Sequence, residues 1–314
     1  MKKTVIGYLA GIGSAAIMGL SWYATKRIGQ ISGAFIIDVL ATRYVISGGV
    51  ILLLWAVGAI RLHFERKDIV PLLGLSILMP ILYNIFEYTA LDYISSAEIG
   101  MLCSLSTVVA SLLGYFVLKE PIGRAEGAFM TVAVIGVIFI NIFDFDIHAS
   151  SNIGRLLMLG CVFGSSVNRI LSRGLSARRT AMEITAVMMW SSAVVFSAIS
   201  MTRHLIRNSL EEYAAFIREP RIYGYLIFLA LGCSLLGFLL NNVAIANLPM
   251  TRSSVLITLA TIVAVASGAI LLREPLAWYD YVGCAIILVG VTGCNITKSD
   301  SVGSRNGAAG KEKT

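Results

Sequence analysis

Apolar stretches of about 20 residues, separated by short charged or polar runs, fill the chain from residue 5 to residue 296. They fall at 5–23, 34–60, 69–91, 97–118, 122–142, 153–171, 181–201, 222–246, 253–272 and 276–296. A helix needs about 20 predominantly apolar residues to cross the hydrocarbon of a bilayer. The pattern therefore predicts an all-α membrane protein of ten transmembrane helices. Arg61 to Asp68, Asp144 to Asn152 and Arg173 to Thr180 read as short connections, and Thr202 to Arg221 as a longer one. Lys2 and Lys3 lead directly into the first apolar stretch without a small-residue cleavage site, so that stretch reads as a retained span. From residue 298 to 314 the composition turns to Gly, Ser, Lys and Glu, which predicts a disordered tail.

The second half repeats the first. A constant shift of 154 lays Ala90 on Ala244, Leu102 on Leu256, Leu105 on Leu259, Thr107 on Thr261, Gly136 on Gly290 and Asn141 on Asn295. The same shift lays Glu120-Pro121 on Glu274-Pro275. Nearer the front of each half the shift is 145, with Gly19 on Gly164, Ser21 on Ser166 and Asp38 on Glu183. The longer Thr202 to Arg221 connection accounts for the difference. Residues 5–142 and 153–296 thus form two five-helix repeats. Five is odd, so the second repeat must enter the membrane from the opposite side. Inverted repeats suit alternating access around a site near the midplane.

Composition agrees with the spans. Hydrophobic residues make up 57% of the chain and charged residues 14%, with a mean hydropathy of +0.82, which excludes an ordinary soluble domain. The net charge of +7 is dispersed among connections rather than gathered on one face, so it reports orientation and not a nucleic-acid partner. With strict alternation and a cytoplasmic N-terminus, 15 basic residues lie inside and 8 outside. Both termini are therefore expected in the cytoplasm, in the inner or plasma membrane. The five cysteines, Cys103, Cys161, Cys233, Cys284 and Cys294, are scattered through apolar segments and read as small fillers. His63, His148 and His204 fall in separate connections, so no metal ligand set is expected. There is no GxxxxGK[ST] loop, no cofactor motif, and no Ser/His or paired-aspartate arrangement within the spans. An enzyme is disfavoured and no catalytic residue is assigned.

The chain resembles the drug/metabolite transporter superfamily, in its EamA-type branch of ten spans in two repeats. The residues that carry the resemblance are Gly19-Leu20-Ser21 with Lys26, Arg43, Ala90-Leu91, the two Glu-Pro pairs, Gly136 and Gly290. It departs from that pattern at Met18, where an aromatic is common, and at Ser106-Thr107 and Ala260-Thr261, where a proline is common. The resemblance implies a secondary transporter of small organic solutes, often an exporter of amino acids or related metabolites. Its partners would be such a solute and the lipid bilayer. A sensor or assembly scaffold built on the same repeat is the alternative.

Several polar residues inside the spans are candidates for the path. Glu87 sits mid-span, where an ionised carboxylate facing lipid is costly. It would bind a substrate amine, couple transport to protons, or hydrogen-bond a neighbouring helix. Asn84 shares its helical face, and Tyr88 lies one turn beyond Asn84. The repeat sets Asn241 and Asn242 against Glu87 and Tyr88. Arg43, close to Asp38 in sequence, would hold a substrate carboxylate, snorkel, or pair with a carboxylate to lock helices. Asn168 and Arg169 could line the path, as could Trp22, Tyr23 and Trp190, with Trp22 near a span end fitting an interfacial anchor better, and Asp38 and Glu183 read as span entrances. Glu98 and the matching Arg252 are expected to act on opposite faces rather than to pair. Glu120, Pro121, Glu274 and Pro275 read as tight turns between consecutive spans.

Overall fold

The computed structural model describes residues 2–94, 98–99, 102–103, 105–118, 123–143, 149–248, 250–272, 277–279, 281–290 and 292–293. The described residues contain helices and connections but no strand. The first span is Lys2–Gly19 continued by Ser21–Ser32, the second Ile36–Ala56, the third Arg66–Ala90, the fourth Ser106–Leu118 and the fifth Arg124–Phe143. The second half follows with Ala149–Ser176, Ala181–Arg207, Pro220–Asn247 and Met250–Leu271, and the tenth helix is described over Tyr281–Gly290. The first, second, third, seventh and eighth are long and apolar enough to cross a membrane by length and composition. The Glu120, Pro121, Glu274 and Pro275 junctions, His148, Cys294 and the tail from 298 lie outside the described residues, as do the side chains of Thr107, Thr261 and Arg252.

Several boundaries differ from the sequence pattern: the sixth helix extends past 171 through Arg173 to Ser176, and two further differences move buried residues into spans. The first span continues past residue 23 to Ser32, because its last turns bury Trp22, Ala24, Thr25 and Ile28 while Lys26 and Arg27 ride the other face. The seventh span runs past residue 201 to Arg207, so His204 is a buried helical residue and not part of a connection. Beyond it, Leu210–Arg218 forms a short helix whose Phe216 packs against Ile28, Ile222 and Leu226.

The halves are interleaved. The first span packs on the eighth and ninth, and the sixth, its repeat mate, packs on the third and fourth. The second and seventh pack on each other through stacked Tyr44 and Phe196, with ring centroids 5.5 Å apart, and through Trp190, whose Nε1 donates to Gly48 O at 3.0 Å. The fifth and tenth cross at their repeated glycines. A Cβ on Gly136 would stand 2.8 Å from Ile287 Cγ1, and one on Gly290 would stand 2.7 Å from Ala133 Cα. Ala133 and Ile287 are themselves related by the shift of 154, so each glycine admits its mate's neighbour. Close backbone approach at small residues is how helices gain contact in lipid, where hydrophobicity does not drive them together.

The third span is not one continuous helix. Regular turns end at Ser76, Met79 is extended at φ −149° and ψ 120°, Met79–Pro80 is cis, and α-helix resumes at Tyr83. Proline supplies no N–H and obstructs the preceding turn. The eighth span is widened over Phe228–Gly237, with α-helical turns on either side. The shift of 154 carries residues 77–82 onto 231–236, so both halves break regular helix at the same place.

Candidate functional site

Breaking a helix inside hydrocarbon frees backbone carbonyls that must find donors. Here buried side chains provide them, three from neighbouring spans and one, Asn84, from the third span itself. Leu75 O, which Met79 N–H would meet in regular helix, accepts from Asn168 Nδ2 at 2.9 Å. Pro80 O accepts from Asn84 Nδ2 at 2.7 Å. In the eighth span Ala230 O accepts from Ser47 Oγ at 2.8 Å, and Gly237 O from Ser14 Oγ at 2.9 Å. Every donor is buried. The irregular segments are thereby fixed rather than frayed, and they border one central cavity of about 140 Å³.

Its wall takes residues from both halves. Met18 and Trp22 come from the first span, Arg43 from the second, Asn84, Glu87 and Tyr88 from the third, Asn168 and Arg169 from the sixth, and Asn241 from the eighth. Arg43 is 3% exposed and fixed in place: Nε donates to Ser234 Oγ at 2.7 Å and Nη1 to Tyr88 Oη at 2.5 Å, while Cζ lies 5.1 Å from the Tyr44 ring centroid. Thr25 Oγ1 donates to the same Tyr88 hydroxyl at 3.4 Å. Asn84 Nδ2 also donates to Tyr44 Oη at 2.6 Å. Glu87 is buried, with Tyr83 and Trp22 as neighbouring donors and Arg43 as the neighbouring cation. Tyr83 Oη meets Cys103 Sγ at 3.3 Å.

Five of the six residues singled out from sequence therefore meet on one wall: Arg43, Asn84, Glu87, Tyr88 and Asn241. Asn242 does not. It faces the seventh span and donates from Nδ2 to Thr185 Oγ1 at 2.9 Å, tying two helices of the second half. Adjacent residues on a helix point about 100° apart, so only one of the two asparagines reaches the cavity. Trp22 is 6% exposed and lines the cavity, which overturns its reading as an interfacial anchor. The sequence reading missed Ser14, Ser47 and Ser234, since a lone serine in an apolar run is unremarkable until its acceptor is seen.

Arg43 does not pair with Asp38. Asp38 Oδ1 accepts from Ser200 Oγ at 2.6 Å and from His204 Nε2 at 3.0 Å, joining the start of the second span to the end of the seventh. Its repeat mate Glu183 does the reverse: it accepts from His63 N and Thr180 N, both at 2.9 Å, joining the start of the seventh span to the chain leaving the second. Arg179 reinforces this second tie through Asp68, Glu65 and His63 O. Lys67 beside Glu65 holds that carboxyl below the usual range. Glu98 pairs with Arg155 of the sixth span at 2.8 Å.

Apolar helices in two interleaved halves, closed around a cavity with charged and polar side chains in its wall, define a multi-pass membrane protein of the transporter class. The chain belongs to the EamA-like transporter family, which matches residues 5–142 and 152–296. It is 30% identical over 290 residues to the Uncharacterized transporter YcxC of Bacillus subtilis, covering 92% of each protein. It is 22% identical over 181 residues to the Probable amino-acid metabolite efflux pump of Salmonella typhimurium, covering 57% of this chain and 60% of that protein. Its fold is also that of a solved crystal structure at 16% identity, with a TM-score of 0.62 over 94% of this chain and 97% of the other.

Proposed function

We propose that the protein is a secondary transporter, working as an exporter, that moves a small organic metabolite such as an amino acid or related solute by alternating access. The observation that carries this reading is the pair of interrupted spans. Residues 77–82 and 228–237 occupy corresponding places in the two halves and border the same cavity, through Met79 and Cys233. Interruptions at matched positions are where carriers built from repeats bind their solutes. The ties at Asp38 and Glu183 support it further, because they close opposite ends of the same helix pair, as two alternately opened gates would require. The name of the Salmonella relative favours export.

In this reading residues 5–142 and 153–296 are inverted five-helix repeats, both termini are cytoplasmic, and the protein resides in the inner or plasma membrane. Counterflow in reconstituted vesicles tests it. Vesicles loaded with the right unlabelled solute should accumulate labelled solute transiently, and absence of counterflow across a broad metabolite panel would sink the proposal in favour of a scaffold. Coupling to protons is tested in the same vesicles with Glu87→Gln. Acceleration by a pH gradient should disappear, and its survival would remove Glu87 from coupling.

A further inference from the structure

Three charged side chains stand on the cavity wall: Arg43, Glu87 and Arg169. Arg43 and Glu87 lie within electrostatic reach of each other, and two donors of Arg43 are already taken by Ser234 and Tyr88. Arg169 is different. It makes no hydrogen bond or ion pair among the described residues, and its Nη1 is sealed from solvent with no acceptor. Tyr83 is its neighbour, and Glu87 is in turn a neighbour of Tyr83.

A guanidinium inside a membrane is normally paired with a carboxylate or with backbone carbonyls, because an unmet charge there is expensive. The sixth span nevertheless aims one at the cavity with its fork unoccupied. Two guanidinium groups against a single carboxyl leave the wall with at least one positive charge in excess. A cationic solute would add to that excess, a neutral one without a carboxylate would leave the fork unmet, and a zwitterion would meet the fork but leave the excess. An organic acid of net negative charge answers both needs, since its charge offsets the excess and its two carboxylate oxygens match the parallel N–H groups of a guanidinium.

We infer that the solute is a small organic acid carrying net negative charge, whose carboxylate docks on Arg169. This rests on the transporter reading above and narrows it from metabolites in general to organic anions. Arg43 and Glu87 line the same cavity around the rest of the solute.

The test uses the full-length protein with succinate, succinamate and succinamide as matched dianion, monoanion and neutral probes, together with longer and shorter carboxylates and neutral and cationic solutes. Ligand binding is read by thermal shift and transport by counterflow. At least one carboxylate should bind, its amide should bind more weakly, and Arg169→Gln should weaken the acid by about 10-fold or more, the loss of a charge-assisted pair. Neutral analogues should be little affected by that change. Arg169→Lys should retain part of the affinity, which keeps the test decisive if the glutamine variant fails to fold. Binding confined to neutral or cationic solutes, or carboxylate affinity unchanged in both variants, overturns the inference. In that case counterflow of a neutral or cationic solute leaves the transporter reading standing, whereas absence of all counterflow removes both.

Discussion

Asn84 joins the break in the third span to the second span with a single amide, donating to Pro80 O at 2.7 Å and to Tyr44 Oη at 2.6 Å. Asn84→Leu keeps most of the volume and removes both donations. Hydrogen bonds between membrane helices average about 0.6 and reach about 1.7 kcal/mol, so two lost together amount to about 1–3 kcal/mol. At 2–4 °C per kcal/mol, the apparent melting temperature should fall by roughly 2–12 °C. The assay is thermal unfolding of detergent-purified protein at one fixed scan rate, because unfolding of such proteins is governed by rate as well as by equilibrium. Tyr44→Phe completes a cycle. If the Asn84–Tyr44 bond is present, Tyr44→Phe should cost about 0.6–1.7 kcal/mol in the wild type and close to nothing beside Asn84→Leu. Asn84→Ala, which cannot be rejected for bulk, should show the same dependence on Tyr44. An unchanged midpoint in both Asn84 variants, or effects that simply add to Tyr44→Phe, would refute the role assigned to this amide.

Gly290→Ala should destabilise by about 1–3 kcal/mol, since its methyl would fall on the backbone of Ala133 and force the fifth and tenth helices apart; an equal or higher melting temperature contradicts the crossing. Asp38→Asn should cost about 1.5–3 kcal/mol through weakened bonds to Ser200 and His204. Combined with His204→Ala it should cost less than the sum of the two changes, and strict additivity would show that the two do not share a tie. Arg43→Lys should lower stability by about 1.5–3 kcal/mol, because one ammonium cannot reproduce the fork shared between Ser234 and Tyr88. A lysine variant as stable as the wild type would mean that the fork is not holding the second span to the third and eighth.

The fold was legible because its signal is redundant. Ten apolar stretches, two Glu-Pro marks and a constant shift each lead to the same two halves. Candidate site residues were legible where a residue type is costly in lipid, as with Glu87, Asn84, Arg43 and Arg169, since such residues must face one another or a cavity. What stayed hidden depended on rotation and partner. Asn241 and Asn242 are indistinguishable by composition, yet one lines the cavity and the other binds Thr185. Asp38 lies close to Arg43 in sequence, but its acceptors face Ser200 and His204, more than 160 residues away. Residues 69–91 read as one continuous span although Pro80 lies inside it, because the apolar run is unbroken there while proline interrupts the hydrogen-bond ladder. The matching disturbance at 228–237 contains no proline, and only its repeat register points to it.

The exchange of first helices between the halves bears on how the chain is made. Spans enter the bilayer in order, and the first has its eighth and ninth partners only after most of the protein has been synthesised. Until then Gly7 and Gly19, whose places are shaped by Leu248, Ala260 and Val263, have lipid or an insertion factor against them. Assembly is therefore a late event that follows insertion, and a ribosome that stops after the fifth span releases a fragment whose first helix lacks its lining. Two separately expressed halves should likewise be poor folders alone and regain stability when co-produced, since each carries a helix that completes the other.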